Sequence, residues 1–295
     1  MGVFTKIKNR LNRLINGQSS QDAIYGIKGD IATIEISLPP GHKLPFNQLS
    51  YKLYDKKIIQ ITKYIYDKMG GTCIDIGANI GDTAVAIRAS SNMPIICVEG
   101  DAEFYQYLDK NTVGLSDIKI VKSFIGGEQK DIKGHYVKEA GTGKFIKNDS
   151  DVTSTSFITI SNLLSDLNIN ASDVSLIKSD TDGFDFDIIL GSLNFVTAQK
   201  TSLFFEYEVN SHESHVKSLE VIDALSKNGY KFIVYDNYGN FYSSVTSDFI
   251  NRFVEINAYI KSGNSNGGGI CYVDVFATTN NILFEGIYKY ELDTF

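Results

Sequence analysis

The chain lacks several things, and each lack removes a class of protein. No run of about 18 apolar residues occurs in its 295 residues, so no membrane-spanning helix is expected. The first residues carry charge but no continuous apolar core, so no secretory leader is expected either. There are only three cysteines, Cys73, Cys97 and Cys271, all in apolar, strand-like runs. An odd number without metal-ligand spacing reads as reduced core thiols and predicts a cytoplasmic protein. Of only four prolines, Pro39, Pro40 and Pro45 crowd together with Gly41 into a stiff loop that holds His42, read as a solvated residue or, near a cleft, as a substrate contact. Positive charge is short: 28 Lys and Arg face 35 Asp and Glu, a net charge of −7, which argues against a nucleic-acid partner.

The scarce positive charge is unevenly placed. Lys6, Lys8, Arg10 and Arg13 lie in the first 21 residues with no acid among them. Phe4, Ile7, Leu11 and Leu14 recur there at helical spacing. The pattern predicts a basic amphipathic helix over residues 3–15, suited to weak, reversible contact with an anionic membrane surface or a protein partner. The protein would then sit in the cytoplasm, peripheral at the inner membrane face. Residues 17–21 read as a linker, 22–71 as an extension packed on the core, and 72–295 as the main domain. In the extension, 23–37 reads as strands about a Gly29–Asp30 turn and 51–68 as one long amphipathic helix.

The stretch that organises the rest is 72–83, Thr-Cys-Ile-Asp-Ile-Gly-Ala-Asn-Ile-Gly-Asp-Thr. It reads as a strand, a glycine turn and a helix over 83–89, with Asp82 or Asn79 as cap. A helix start with unpaired N–H groups can hold an anionic group, and Gly77 and Gly81 let backbone approach a ligand. The dinucleotide pattern Gly-x-Gly-x-x-Gly is absent, which weakens a nicotinamide-dependent oxidoreductase. The loop is instead led by Asp75, which suits an ammonium group. Glu99, 24 residues on and at the end of another apolar run, suits the two hydroxyls of a ribose. A ligand with an ammonium, a carboxylate and an adenosine ribose is S-adenosylmethionine (SAM).

From Thr72 onward strand and helix alternate, which predicts a Rossmann-like, mostly parallel sheet. Strands are expected at 73–76, 95–98, 118–125, 157–160, 176–180, 202–208, 230–236 and 270–278. Residues 128–156 are polar and read as a hairpin or binding loop, and 237–269 as a second substrate-side insertion with a helix over 248–261. Ligands of such sheets bind beyond the carboxyl ends of the strands. That rule brings Asp75, Glu99, Asp180 and Glu206 to one cleft, where like charges need a cation or shared protons.

The ordered set of motifs resembles the FkbM-type methyltransferases. It comprises Ile74-Asp75-Ile76-Gly77-Ala78-Asn79-Ile80-Gly81-Asp82-Thr83, then Val98-Glu99 with Asp101, then Phe157-Ile158-Thr159-Ile160-Ser161-Asn162-Leu163-Leu164. Residues 176–185, Gly229-Tyr230-Lys231-Phe232 and Val273-Asp274-Val275 follow. The family's Lys-Ile-Asp-Val-Glu-Gly stands here as Lys178-Ser179-Asp180-Thr181-Asp182-Gly183, and its Glu-Pro as Glu99-Gly100. The resemblance, over about residues 38–278, implies a seven-stranded sheet with an antiparallel last strand. It also implies O-methyl transfer, commonly to a sugar of a bacterial surface polysaccharide or to a secondary metabolite. Asp75, Gly77, Ala78, Asn79, Gly81, Asp82 and Thr83 are assigned to the methionine end of SAM. Glu99 and Gly100 fall to the ribose, and Ser123, Phe124 and Ile125 to the adenine. A sugar hydroxyl is a poor nucleophile near pH 7, so a base must take its proton. Asp180 is the first candidate, Glu206 the second, and His212 or His215 a further one. A divalent ion such as Mg²⁺ on Asp180 and Glu206 is a variant of the same expectation. The competing reading is a non-catalytic scaffold or regulatory subunit that keeps the fold.

Overall fold

The computed structural model describes residues 22–139, 141–181, 183–265 and 269–293. The basic stripe of residues 3–15 lies outside the described residues, as does Asp182. Among the described residues no helix is long and apolar enough to cross a membrane.

The centre is an eight-stranded sheet. Its chain-order strands are β3 (Thr72–Ile76), β4 (Ile95–Glu99), β5 (Ile118–Lys122), β10 (Val174–Ser179), β11 (Ser202–Tyr207), β12 (Lys231–Asp236), β13 (Phe241–Val245) and β14 (Val273–Thr278). They lie side by side in the order β13-β12-β14-β11-β10-β3-β4-β5. The five strands β5, β4, β3, β10 and β11 are parallel, and β14 runs antiparallel between β11 and β12. The expected seven strands and their antiparallel member are present. The eighth, β13, is an edge strand formed by what reads in sequence as an insertion.

Both faces of this sheet are covered, which is why its strands read as continuous apolar runs. Side chains alternate between the two sides of a strand, and the core divides accordingly. Ile74, Ile76, Ile96, Val98, Leu203 and Phe205 join one cluster. Cys73, Ile95, Cys97 and Phe204 join the other, against Ile58, Ile61 and Ile65 of the helix Lys56–Met69 and Leu283, Phe284 and Ile287 of the C-terminal helix Asn281–Asp293. That last helix is not anticipated in sequence.

The extension packs as a hairpin, β1 (Ala23–Lys28) with β2 (Thr33–Leu38), against the glycine-loop side of the domain. Asn111 holds it there. Its Oδ1 accepts from Ser37 N at 2.7 Å, and its Nδ2 donates to Ser37 O at 3.0 Å and Ile80 O at 2.8 Å.

Four local expectations are corrected. The helix expected over 51–68 starts only at Lys56 and runs to Met69, because Asp55 before it takes a left-handed conformation (φ 57°), and a separate short helix, Leu44–Ser50, precedes it. Pro45 falls in the first turn of this short helix, where its missing N–H costs nothing, so the stiff loop becomes a helix start. Strand 118–125 breaks at Ser123, and β6 (Phe124–Ile125) leaves for a second, four-stranded sheet in the order β6-β9-β7-β8. There β7 (Lys130–Glu139), β8 (Thr142–Lys147) and β9 (Ser154–Ile158) realise the expected hairpin. Cys271 is exposed rather than in the core, since β14 begins only at Val273.

Candidate active site

A cavity of about 320 Å³ opens at the carboxyl ends of the parallel strands. Its position follows from topology. Strands β3 and β4 deliver the glycine loop and Glu99, β10 delivers Lys178 and Asp180, and β11 delivers Glu206.

One end is lined by the glycine loop and aromatic rings. Gly77, Ala78, Asn79, Thr83, Glu99, Gly100, Ser123, Phe124 and Ile125 all border it. Gly77 is required: it sits at φ 76°, and a Cβ there would lie 1.9 Å from Asp180 O. The helix after the loop is Asp82–Arg88, capped by the backbone of Gly81 with no side-chain bond. Asp82 therefore lies inside the first turn, and Asn79 serves another end: its N–H donates to Glu99 Oε2 at 2.8 Å. Asp101 N donates to Glu99 Oε1 at 2.7 Å. Glu99 is only 5% exposed, and burial pushes its carboxyl up to about 7 against the pull of those N–H bonds. Phe124, Phe145, Phe157 and Phe184 form a chain of ring contacts beside it, with centroids 5.1 to 6.3 Å apart.

The other end is acidic. Asp55, Asp82, Asp180, Glu206 and Asp274 border it, with Tyr54 and Tyr272. Burial first, and the neighbouring acids next, push the Asp55 and Asp274 carboxyls well up. Asp82 moves up too, through burial, with His42 and Lys178 opposing. Tyr54 is raised chiefly by Asp55, and Tyr272 by burial and then Asp274.

The cation that meets these acids is Lys178. Its side chain is 7% exposed, and its Nζ lies 3.0 Å from Asp75 Oδ1 and 3.5 Å from Asp180 Oδ2. Lys178 and Asp75 are register partners on adjacent parallel strands, so the pair is built into the sheet. Desolvation pulls the ammonium down, but Asp75 and Asp180 outweigh it and hold it well above its ordinary value. The structure thus places Asp75 differently from the expectation. It is fully buried and ion-paired beneath the cavity wall, not on it. Gly81 is likewise behind the wall, under Leu108.

His212 is not brought in: it is the exposed first residue of the helix His212–Lys227, away from the cavity lining. His215 faces Asn257, whose Nδ2 lies 3.0 Å from its Nδ1. Of the two readings of His42, solvated or beside a cleft, the second places it rightly: it borders the cavity. Its Nδ1 accepts from Leu44 N at 3.2 Å, and burial lowers its pKa. Among the described residues no three His, Cys, Asp or Glu side chains gather as a metal-ligand set, so the Mg²⁺ expectation gains no support. Lys178 was legible in principle, since residues two apart on a strand share a face and it precedes Asp180 by two. Asp55, Tyr54, Tyr272 and Asp274 come from segments whose approach to the site carries no local signal.

Comparison with known proteins agrees with the motif reading. Residues 75–232 match the sequence profile of the methyltransferase FkbM domain, more than half of the chain. No curated protein matches the chain. Among solved structures, a methyltransferase FkbM from Methylobacillus flagellatus is 14% identical over 59% of this chain and 42% of its own, with a TM-score of 0.40. The chain therefore spans less than half the length of that protein. The precorrin-6y C5,15-methyltransferase of Geobacter metallireducens is 10% identical over 75% and 87%, TM-score 0.36. The TYW2 of M. jannaschii, solved in complex with AdoMet, is 11% identical over 88% and 86%, TM-score 0.42. Likenesses this distant carry no functional inference.

Proposed function

The chain belongs to the FkbM-type methyltransferases, and from that premise we propose that it is a SAM-dependent O-methyltransferase acting on a carbohydrate hydroxyl, in bacterial surface-polysaccharide or glycan biosynthesis. The observation that carries the reading is the division of one cavity into a glycine-and-aromatic end and an acidic end.

The residues present fit the cofactor. Glu99 is desolvated, fixed by two backbone N–H groups and set on the wall, so its remaining lone pairs suit a vicinal diol. Phe124 packs so closely on Gly100 that a Cβ there would meet its ring at 2.4 Å, so the glycine lets the ring stand at the cavity wall, where its apolar face suits a purine. Asp82 and Thr83 border the loop at the methionine end, and Asp75 acts from below by holding Lys178. When bound, SAM supplies an electrophilic methyl group on a sulfonium.

The protein's share is position and one proton. Asp180 projects from the end of β10 with its side chain 53% exposed and Lys178 at its back. A carboxylate so placed accepts the hydroxyl proton at Oδ as the new carbon–oxygen bond forms. Glu206, at the neighbouring strand, is the alternative acceptor of that proton. The surrounding Asp55, Asp274 and Asn237 offer hydrogen-bond acceptors for the other hydroxyls of a sugar.

The test is methyl transfer from radiolabelled SAM to a panel of nucleotide sugars and oligosaccharides. Transfer to a sugar that is lost in Asp180→Asn, with S-adenosylhomocysteine (SAH) affinity kept within a few-fold, supports the reading. SAH binding with no transfer to any sugar would instead favour a scaffold role or another acceptor class.

A further inference from the structure

The hairpin of β7 and β8 forms part of the wall of the cavity. Tyr136 and Phe145 of its two strands, with Gly141 and Gly143 near its tip, border the cavity. The tip is tied to the glycine loop, since Asn79 Nδ2 donates to Gly141 O at 2.8 Å. Gly141 also lies so close to His42 that a Cβ would come within 2.6 Å of the ring. On the flank, Lys138 reaches down to the helix Ala102–Thr112, with Nζ 2.7 Å from Asp101 Oδ1 and 2.8 Å from Glu103 Oε2, and 5.1 Å over the Phe104 ring. Asp101 is the residue whose N–H holds Glu99. On the far side, Lys144 pairs with Glu208 at 3.4 Å, and Lys147 with Asp187 at 3.4 Å while lying over Phe184 at 4.5 Å.

These contacts have one thing in common. Each joins the hairpin to a segment that borders or supports the cavity, and the shortest ion pairs converge beside Glu99. We infer that the hairpin is a clasp over the nucleoside end of the cofactor, and that Lys138 is the positioning residue that holds it closed. The inference rests on the reading of this cavity as a SAM site. Lys138 would then act on retention: it touches no ligand atom, but its release frees the strand that carries Tyr136 and opens the way out. The contacts are partly exposed ion pairs, weak singly and screened by salt, so the clasp is a modest and salt-sensitive one.

The experiment is the dissociation rate of SAH, and separately of 5′-methylthioadenosine, from the full chain and its Lys138→Met and Lys138→Arg variants at low and high salt. Lys138→Met is expected to release both ligands about three- to ten-fold faster at low salt, with folding intact by circular dichroism. Lys138→Arg should stay within about two-fold of the parent. Release from the parent should quicken with salt more steeply than release from Lys138→Met, in which only the Lys144 and Lys147 pairs remain to be screened. Equal rates for parent and Lys138→Met would overturn the clasp, as would an effect on SAH but not on methylthioadenosine, which lacks the amino-acid end. A parent chain that binds neither ligand would fail the SAM reading itself, which is a different result from binding without a Lys138 effect.

Discussion

The two ends of the cavity differ in chemistry and in where they come from in the chain. The glycine-and-aromatic end is drawn mostly from the segment that matches the family profile: Gly77, Ala78, Asn79, Thr83, Glu99, Gly100, Ser123, Phe124 and Ile125 all fall within residues 75–232. The acidic end mixes Asp180 and Glu206 from that segment with Tyr54 and Asp55 before it, and Asn237, Gly239, Tyr272 and Asp274 near or beyond its close. The matched part thus supplies both the proposed cofactor end and the proposed base. The wall around them is drawn largely from segments outside the matched range, Tyr54 and Asp55 before it and Asn237, Gly239, Tyr272 and Asp274 after it.

Variants that separate the two ends sharpen this comparison. Asp180→Asn has the largest expected effect: a fall in turnover of about 10²–10⁴-fold, the usual worth of a general base, at nearly unchanged SAH affinity. Turnover within about ten-fold of the parent would remove Asp180 from the role. Lys178→Met leaves Asp75 charged, buried and alone, and should cost about 3–5 kcal/mol in denaturant unfolding. Adding Asp75→Asn should recover much of that loss, and a double variant as unstable as the single one would contradict the pairing. Glu99→Ala acts on the other end and should weaken SAH binding about 10- to 100-fold by calorimetry.

Titration distinguishes the ends more gently. Glu99 holds its proton to about pH 7 in the fold against an ordinary 4.5, so the folded state binds more protons than the unfolded one between those values. Stability should therefore fall as pH rises from about 4.5 to 7 on account of this group, and level off above. Asp55 and Asp274, also raised, act in the same direction. Unfolding midpoints at pH 5 and pH 8 check this, and Glu99→Gln should flatten part of the slope. The smallest expected effect is His212→Ala. That side chain is exposed and away from the cavity, so SAH affinity and turnover should stay within about two-fold. A large loss would place His212 in the site after all.

What was legible in the sequence follows the range of the forces involved. The parallel strands were readable because both sheet faces are buried and each strand, such as Thr72–Ile76, needs an apolar run. The glycine loop was readable because its turn demands Gly77 at that position. The break between Ser50 and Lys56 was not, since it turns on a left-handed Asp55, a residue type with no strict need for that conformation. Nor was the burial of Asp75, because its partner Lys178 lies a hundred residues away and meets it only through strand register. Asp274 is hidden for the same reason: it reaches the site only once β14 is inserted between β11 and β12.

The central claim is that the glycine-and-aromatic end holds SAM. It is tested most directly by calorimetric titration of the purified chain with SAH, with NAD as control. The account predicts micromolar, one-to-one binding of SAH, weakened in Glu99→Ala, and no binding of NAD. A folded chain that binds no SAH, or that binds NAD in its place, would contradict it.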